Sequence, residues 1–166
     1  MYHDQALFKE PGGGHTPWHA DQYYLPLSND NTVTVWIPLQ EIQLELGPLE
    51  FSAKSQQIQE GRNLKISDES EKELHKKLTL NDFKQVVEPF EIGEVSFHTG
   101  WVFHRAGPNT TDKMRKVMTI IYMDKDMRLK EPANENQVND WNTWCPGAVV
   151  GDVINSPLNP ILYQYK

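Results

Sequence analysis

The chain has 166 residues, enough for one domain with a real core, and its five Trp, six Tyr and six Phe add large buried area to a 38% apolar composition. The formal charge is -7, with acidic and basic residues intermixed and no basic stripe, so nucleic acid is excluded as an expected partner. No run approaches the roughly 18 apolar residues of a membrane span, and no charged-then-apolar leader opens the chain.

Eight stretches read as strands by alternation and by β-branched or aromatic content. In chain order they are "QALFKEP", "HADQYYLP", "TVTVWIPLQ", "PLEFSA", "FKQVVEPF", "EVSFHT", "VFHRAG" and "KVMTIIYM". Turn signals such as "PGGG", "SNDN", "LGP", "IGE" and "GPNTT" separate them. One helix is predicted over about residues 68–79, with Asp68 as cap, Glu71 at the capping-box position and Leu74 and Leu78 as its apolar stripe. His75 on that helix reads as solvated. From Pro132 onward the Pro/Asn/Gly content predicts an extended wrap over 132–166. The fold class expected is therefore all-β with one helix, an antiparallel barrel or jelly roll in a single domain over 1–166. The abrupt start suggests the later portion of a longer pattern.

The stretch "HTPWHADQYYLPL" carries His15, His19 and Asp21. Pro17 and the glycines before His15 rule out a helical His15/His19 pair. A strand beginning near Trp18 instead places His19 and Asp21 on one face and leaves His15 in the approach loop. His19 and Asp21 make half a metal site. By itself, H-x-D is most often a hydrogen-bonded loop pair. "FHTGWVFHRAGPN" offers His98 and His104, and His104 is favoured because it sits at a strand end beside a Gly/Pro turn. Two His and one carboxylate with open positions are the non-haem Fe(II) arrangement. Arg115 strengthens the reading. Parity places Arg115, Val117, Thr119 and Ile121 on one face, and a buried guanidinium there needs an anion such as a cosubstrate carboxylate.

These residues resemble the phytanoyl-CoA dioxygenase family of Fe(II)- and 2-oxoglutarate-dependent oxygenases. The matching elements are "HAD" at His19–Asp21, Trp36 in "VTVWIPLQ", "LGPLEF", "HRAGPN" at His104, and Arg115 at the family's spacing from the distal histidine. "EPANENQ" and "SPLNPILY" in the tail are also similar to bacterial members. The resemblance implies a double-stranded β-helix, cupin-like, with Fe(II), 2-oxoglutarate and O2 as cofactor and cosubstrates. It implies His19, Asp21 and His104 as metal ligands and Arg115 on the far carboxylate of 2-oxoglutarate. Trp36 would wall the cosubstrate pocket, and Lys9 and Thr119 would touch the cosubstrate. The implied reaction is hydroxylation of an unactivated C–H of a small molecule, with release of succinate and CO2. Related halogenases lack the carboxylate ligand, so Asp21 favours hydroxylation.

Three departures from the family pattern stand out. Ala106 replaces a small hydroxyl residue two positions after the distal histidine. "KSQ" at Lys54–Gln56 replaces "GSH". The family's N-terminal supporting segment has no counterpart, which would leave an outer surface free for a homodimer. Trp18, Tyr23, Tyr24, Trp101, Phe103 and Arg105 are substrate-side candidates, on the expectation of an aromatic cavity mouth. Rival readings are a metal-binding jelly roll without oxygenase activity, a zinc hydrolase on the same three ligands, and a carbohydrate-binding sandwich. The single Cys145 cannot form an intrachain disulfide and, with no leader, predicts a cytoplasmic protein. The sequon at Asn109 carries little weight without secretion.

Overall fold

The computed structural model describes residues 1–164; the last two residues of the predicted 132–166 wrap lie outside the described residues. The strands are β1 (His3–Lys9), β2 (Thr16–His19), β3 (Thr32–Pro38), β4 (Leu49–Ser52), β5 (Gln85–Val87), β6 (Ser96–Thr99), β7 (His104–Ala106) and β8 (Arg115–Met123). They form two four-stranded antiparallel sheets, one in the order β1-β8-β3-β6 and the other β2-β7-β4-β5. Seven of the predicted strands have counterparts, whereas "HADQYYLP" does not: β2 ends at its first residue, His19, and the chain then turns into a short 3-10 segment. The architecture is the expected jelly roll. No helix among the described residues is long and apolar enough to cross a membrane.

The β-branched and aromatic residues of β3 and β8 alternate as sequence parity requires. Arg115, Val117, Thr119 and Ile121 are buried on β8, and Thr32, Thr34, Trp36 and Pro38 on β3. β1 is different. His3 is buried, but Gln5 and Leu7 are exposed although they line the cavity, so the cavity is open along this edge.

The helix α1 spans Asp68–Leu80. Its cap is Ser67, one residue earlier than predicted. Ser67 and Ser70 close a capping box through two 3.0 Å hydrogen bonds between each backbone N–H and the other's hydroxyl. That frees Glu71, whose carboxylate accepts from the Trp18 backbone N–H at 2.8 Å and from Arg105 at 2.6 Å. Leu74 and Leu78 pack with Trp18, Ala20 and Phe103 in a core beneath the β2 end of the second sheet. Trp18 and Phe103 are therefore core residues and do not line the cavity mouth.

The predicted extended wrap is corrected by a second helix, α2 (Glu135–Trp144). Three asparagines give α2 poor intrinsic propensity. It forms because Asn134 caps it, accepting from Gln137 N–H at 3.0 Å, and because Trp141 and Trp144 pack on a core of Tyr2, Leu25, Leu27, Met127 and Leu129. Gln137 reaches back to the Ala133 N–H at 2.8 Å. The pair "N-x-x-Q" at Asn134 and Gln137 is a capping signal that the sequence did carry.

Candidate metal centre and anion pocket

Asp21 does not extend β2. The strand ends at His19 and the chain turns into a short 3-10 segment, Asp21–Tyr23. The turn still carries the carboxylate back to His19, with Oδ1 3.8 Å from His19 Nε2 and 3.5 Å from His104 Nε2. β2 and β7 pair so that His19 lies opposite His104, which places the two rings 4.2 Å apart. His15 is exposed in the approach loop, as expected, and His75 is exposed on α1. Ligand atoms of His19, Asp21 and His104 all lie within 4.8 Å of one another.

The protons in this cluster are fixed by neighbours. His19 Nδ1 lies 2.8 Å from the Pro17 carbonyl and His104 Nδ1 lies 3.0 Å from the Val102 carbonyl. A carbonyl only accepts, so both Nδ1 atoms donate and both Nε2 atoms present lone pairs. Burial lowers both imidazole pKa values, and the nearby rings lower His104 further, which keeps these rings neutral. Burial alone would raise the Asp21 carboxyl. Against this, attraction to the surrounding imidazoles in their protonated form, His104 foremost, and the hydrogen bond from His98 hold it well below the usual carboxylate range.

His98 plays another part, and the sequence reading missed it. Opposite Thr34 in the β3–β6 register, it is buried, and its Nε2 lies 3.2 Å from Asp21 Oδ2. The Thr34 hydroxyl donates to the same oxygen at 2.7 Å. Oδ2 is thus occupied by two donors. Three acceptors remain facing one another with no proton between them: Oδ1 and the two Nε2 atoms. Converging lone pairs in a buried site repel unless a cation sits among them, so this donor set fits a metal ion. Carbonyls and hydroxyls that orient ligands are the expected outer partners of such a centre.

A cavity of about 310 Å³ adjoins the cluster, with Gln5, Thr34, Trp36, Ala106, Thr119 and Ile121 in its wall. A larger hollow of about 400 Å³ near Arg62 and Trp101 contains no convergent ligand set. No glutamate lines the cavity at the cluster among the described residues. Ala106 is 2% exposed there and offers no hydroxyl. Thr119 points inward with its hydroxyl 3.4 Å from the Gln5 carbonyl.

Beyond Trp36 lies the second polar group. Arg115 is 5% exposed, with its guanidinium carbon 5.6 Å from the Trp36 ring centre. It donates to the Gly47 carbonyl, its Nε has no partner, and no carboxylate pairs with it among the described residues. Burial pushes its pKa down to about 10. Lys9 lies opposite Arg115 in the β1–β8 register and donates to the Gly107 carbonyl at 2.7 Å. Burial and the Arg115 charge push Lys9 down to about 8. Two half-buried or buried cations thus stand behind Trp36 with no anion paired to them among the described residues.

The turn that carries this pair is closely built. Gly47 has φ +70, and a Cβ there would stand 2.2 Å from the Gly107 carbonyl oxygen. Only glycine fits while aiming its own carbonyl at Arg115. Asn109 is 1% exposed, and its amide donates to the Lys9, Glu10 and Lys113 carbonyls at 3.1, 3.1 and 2.6 Å. It fastens the end of β1 to the start of β8. The sequon asparagine is thus a buried structural residue.

Arg105, the other charged candidate, faces away from the cavity. It grips both oxygens of Glu50 at 2.9 and 3.1 Å and Glu71 at 2.6 Å, and lies over Trp18. It joins α1 to the second sheet. Lys54, where the family pattern has glycine, adopts a left-handed φ of 68, and the following Ser55 accepts from the Phe103 N–H at 2.9 Å.

Two four-stranded sheets with a His-x-Asp and a distant His in their mouth define a double-stranded β-helix of the metal-centre type. The chain belongs to the phytanoyl-CoA dioxygenase (PhyH) family, whose model matches residues 1–117. It is 24% identical to a probable alpha-ketoglutarate-dependent hypophosphite dioxygenase of Stutzerimonas stutzeri, over 76% of this chain and 46% of that protein. It is 30% identical to a phytanoyl-CoA dioxygenase domain-containing protein 1 homolog of Caenorhabditis briggsae, over 72% of this chain and 44% of the relative. The chain therefore spans about half the length of these relatives. Among solved structures it is similar to SnoN, a non-heme alpha ketoglutarate dependent epimerase from nogalamycin biosynthesis. The TM-score is 0.79 at 20% identity, covering 99% of this chain and 63% of that one. The carbocyclase SnoK, from the same biosynthesis, follows at TM-score 0.71 and 24% identity, covering 93% of this chain and 58% of SnoK. Both likenesses show the fold.

Proposed function

We propose that this chain is the catalytic domain of an Fe(II)- and 2-oxoglutarate-dependent dioxygenase that hydroxylates an unactivated C–H of a small organic substrate. The observation that carries this reading is a pairing of opposite demands. Three buried lone pairs converge where a cation fits, and a buried guanidinium stands without an anion at the far end of the same wall. Family membership and relatives described as alpha-ketoglutarate-dependent support it.

His19, Asp21 and His104 would hold the metal, each through the atom its neighbours leave free. His98 and Thr34 fix the Asp21 carboxylate by donating to Oδ2. Arg115, with Lys9 beside it, would receive the far carboxylate of 2-oxoglutarate, and Trp36 and Thr119 would wall and orient its chain. When bound, Fe(II) and 2-oxoglutarate supply oxidation of a substrate C–H by O2, with release of succinate and CO2. The apolar wall of Leu7, Leu49 and Ile121 lowers the local dielectric and strengthens every charge contact inside.

The rival readings have less support. A zinc hydrolase needs a general base, and no glutamate lines the cavity among the described residues. A metal-binding homologue without oxygenase activity leaves Arg115 and Lys9 buried to no purpose. A sugar-binding sandwich needs exposed tryptophan platforms, whereas Trp18 and Trp36 are buried. A cytoplasmic setting accords with a lone, buried Cys145. Homodimerisation would use the outer face of the first sheet, where Phe8 and Phe97 are exposed.

The test is anaerobic addition of Fe(II) and then 2-oxoglutarate, recorded in the visible region. A weak charge-transfer band is expected, absent in Asp21→Ala and weakened in Arg115→Ala. Metal binding with no band in the unaltered protein would overturn the oxygenase reading.

A further inference from the structure

The cavity does not end at the metal cluster. Along the β1–β8 register, Lys9 faces Arg115, Gln5 faces Thr119 and His3 faces Ile121. The cationic pair and His3 thus stand at opposite ends of one wall, six residues apart on each strand. At the His3 end a second hollow of about 230 Å³ touches Asp21 from the side away from Arg115. His3, Gln5, Tyr24, Asp140 and Trp144 complete its wall. Gln5, Asp21 and Ile121 border both hollows.

This second hollow has a definite chemistry. The Asp140 carboxylate accepts from the Tyr2 hydroxyl, and no Lys, Arg or His pairs with it among the described residues. Burial raises its carboxyl to about 6, so it is mainly ionised at neutral pH and still lacks a counter-charge. His3 is 7% exposed and its Nδ1 has no partner. Its ring lies against Trp144, with centroids 4.4 Å apart. Tyr24 adds a second aromatic side. Asp140 and Trp144 come from α2, beyond residue 117 where the family match ends.

We propose that the hollow is the substrate subsite and that it takes a small organic ammonium. The inference rests on the oxygenase reading for the word substrate. Asp140 supplies the counter-charge, Trp144 and Tyr24 supply aromatic faces that attract cations, and His3 Nδ1 supplies an acceptor for an ammonium N–H. The metal ligand Asp21 borders the hollow, so a carbon near the ammonium group would lie against the metal centre.

The probe pair is butylammonium and 1-butanol, equal in heavy atoms and different in charge. Their affinities for the metal-free protein are measured by ligand-detected saturation-transfer NMR. Butylammonium is expected to bind at least tenfold more tightly, with the preference lost in Asp140→Asn. Trp144→Leu, which leaves the carboxylate in place, is expected to reduce the preference several-fold. Equal binding of the two probes by the unaltered protein overturns the proposal with no variant needed. So does a preference that survives intact in folded Asp140→Asn. Mn(II) added to the protein then places the probe. Broadening of the butylammonium resonances locates it beside the cluster, and sharp resonances with Mn(II) bound would put it elsewhere and overturn the assignment. Failure of Mn(II) itself to bind would overturn the oxygenase reading while the ammonium preference stands measured.

Discussion

The two polar groups on the cavity wall are equally unusual for a protein interior and opposite in kind. Around Asp21 there is one carboxylate among three imidazoles, with the ring protons turned outward to backbone carbonyls and carboxylate. Around Arg115 there are two cations, which among the described residues meet the Gly47 and Gly107 carbonyls and the Trp36 ring but no carboxylate. Neither is self-sufficient. A buried charge without its complement destabilises the empty protein by several kcal/mol, so each end records what is meant to occupy it. The contrast supports the proposed occupancy, a metal ion among the lone pairs and a carboxylate at Arg115, which one diacid chelated to that metal would join.

Removal of Asp21 should produce the largest effect. Asp21→Ala deletes a ligand atom and the group that orients His98, and should weaken Mn(II) binding about 100-fold or more by metal titration. Binding within a few-fold of the unaltered protein would mean the lone pairs do not converge on a metal. Next is Arg115→Met. Calorimetric titration of 2-oxoglutarate into Mn(II)-loaded protein should show about 30- to 100-fold weaker binding, or about 2–3 kcal/mol. Mn(II) affinity should stay nearly unchanged. The same variant without ligands should unfold in urea at equal or higher concentration, since an unpaired buried charge is gone. Marked destabilisation would make Arg115 a structural residue. Thr34→Val removes one of the two donors on Asp21 Oδ2 and should cost about tenfold in Mn(II) affinity.

The smallest effect is a pH dependence at the cationic end. Lys9 is held down to about 8, by burial first and then by Arg115. A bound carboxylate favours its charged form, so 2-oxoglutarate binding is strongest below that value. Binding should weaken by about three- to tenfold as pH rises through 8. The sign for the ligand-free protein is opposite. A folded pKa below the unfolded one gives stability that is present above the unfolded value near 10.4 and lost as pH falls through 8. Lys9→Met should abolish the step in both measurements, and a step that persists would assign it to another group.

Much of this arrangement was legible because strand parity is strict. Once "RKVMTIIYM" reads as a strand, Arg115 shares a face with Val117 and Thr119, and the structure buries that face. Turn chemistry near the aspartate was less legible. Asp21 reaches His19 through a 3-10 turn, not along a strand face, and the β2–β7 pairing adds His104 opposite His19. His98 was passed over for His104 because its role arises only in the fold, opposite Thr34 within the first sheet and against Asp21 from the chain beyond β2. The α1 cap was displaced by one residue because Ser67 and Ser70 satisfy each other, a reciprocity an aspartate–glutamate reading overlooked. α2 escaped notice because its composition opposes helix formation, and packing of Trp141 and Trp144 overrides it. The expected aromatic cavity mouth failed at Trp18 and Phe103 for the same reason: packing under α1 takes them into the core.

The pairing of β1 with β8 bears on how such a site is born. Those strands match residues more than a hundred positions apart, Lys9 with Arg115 and His3 with Ile121. Closing so long a loop carries an entropic cost that the contacts along the whole β1–β8 ladder must repay. The cationic pair, the cavity wall and the His3 hollow all arise in that one closure. The cationic pair therefore exists only where the first strand lies on the last, so Lys9 and Arg115 are parted together if β1 leaves β8.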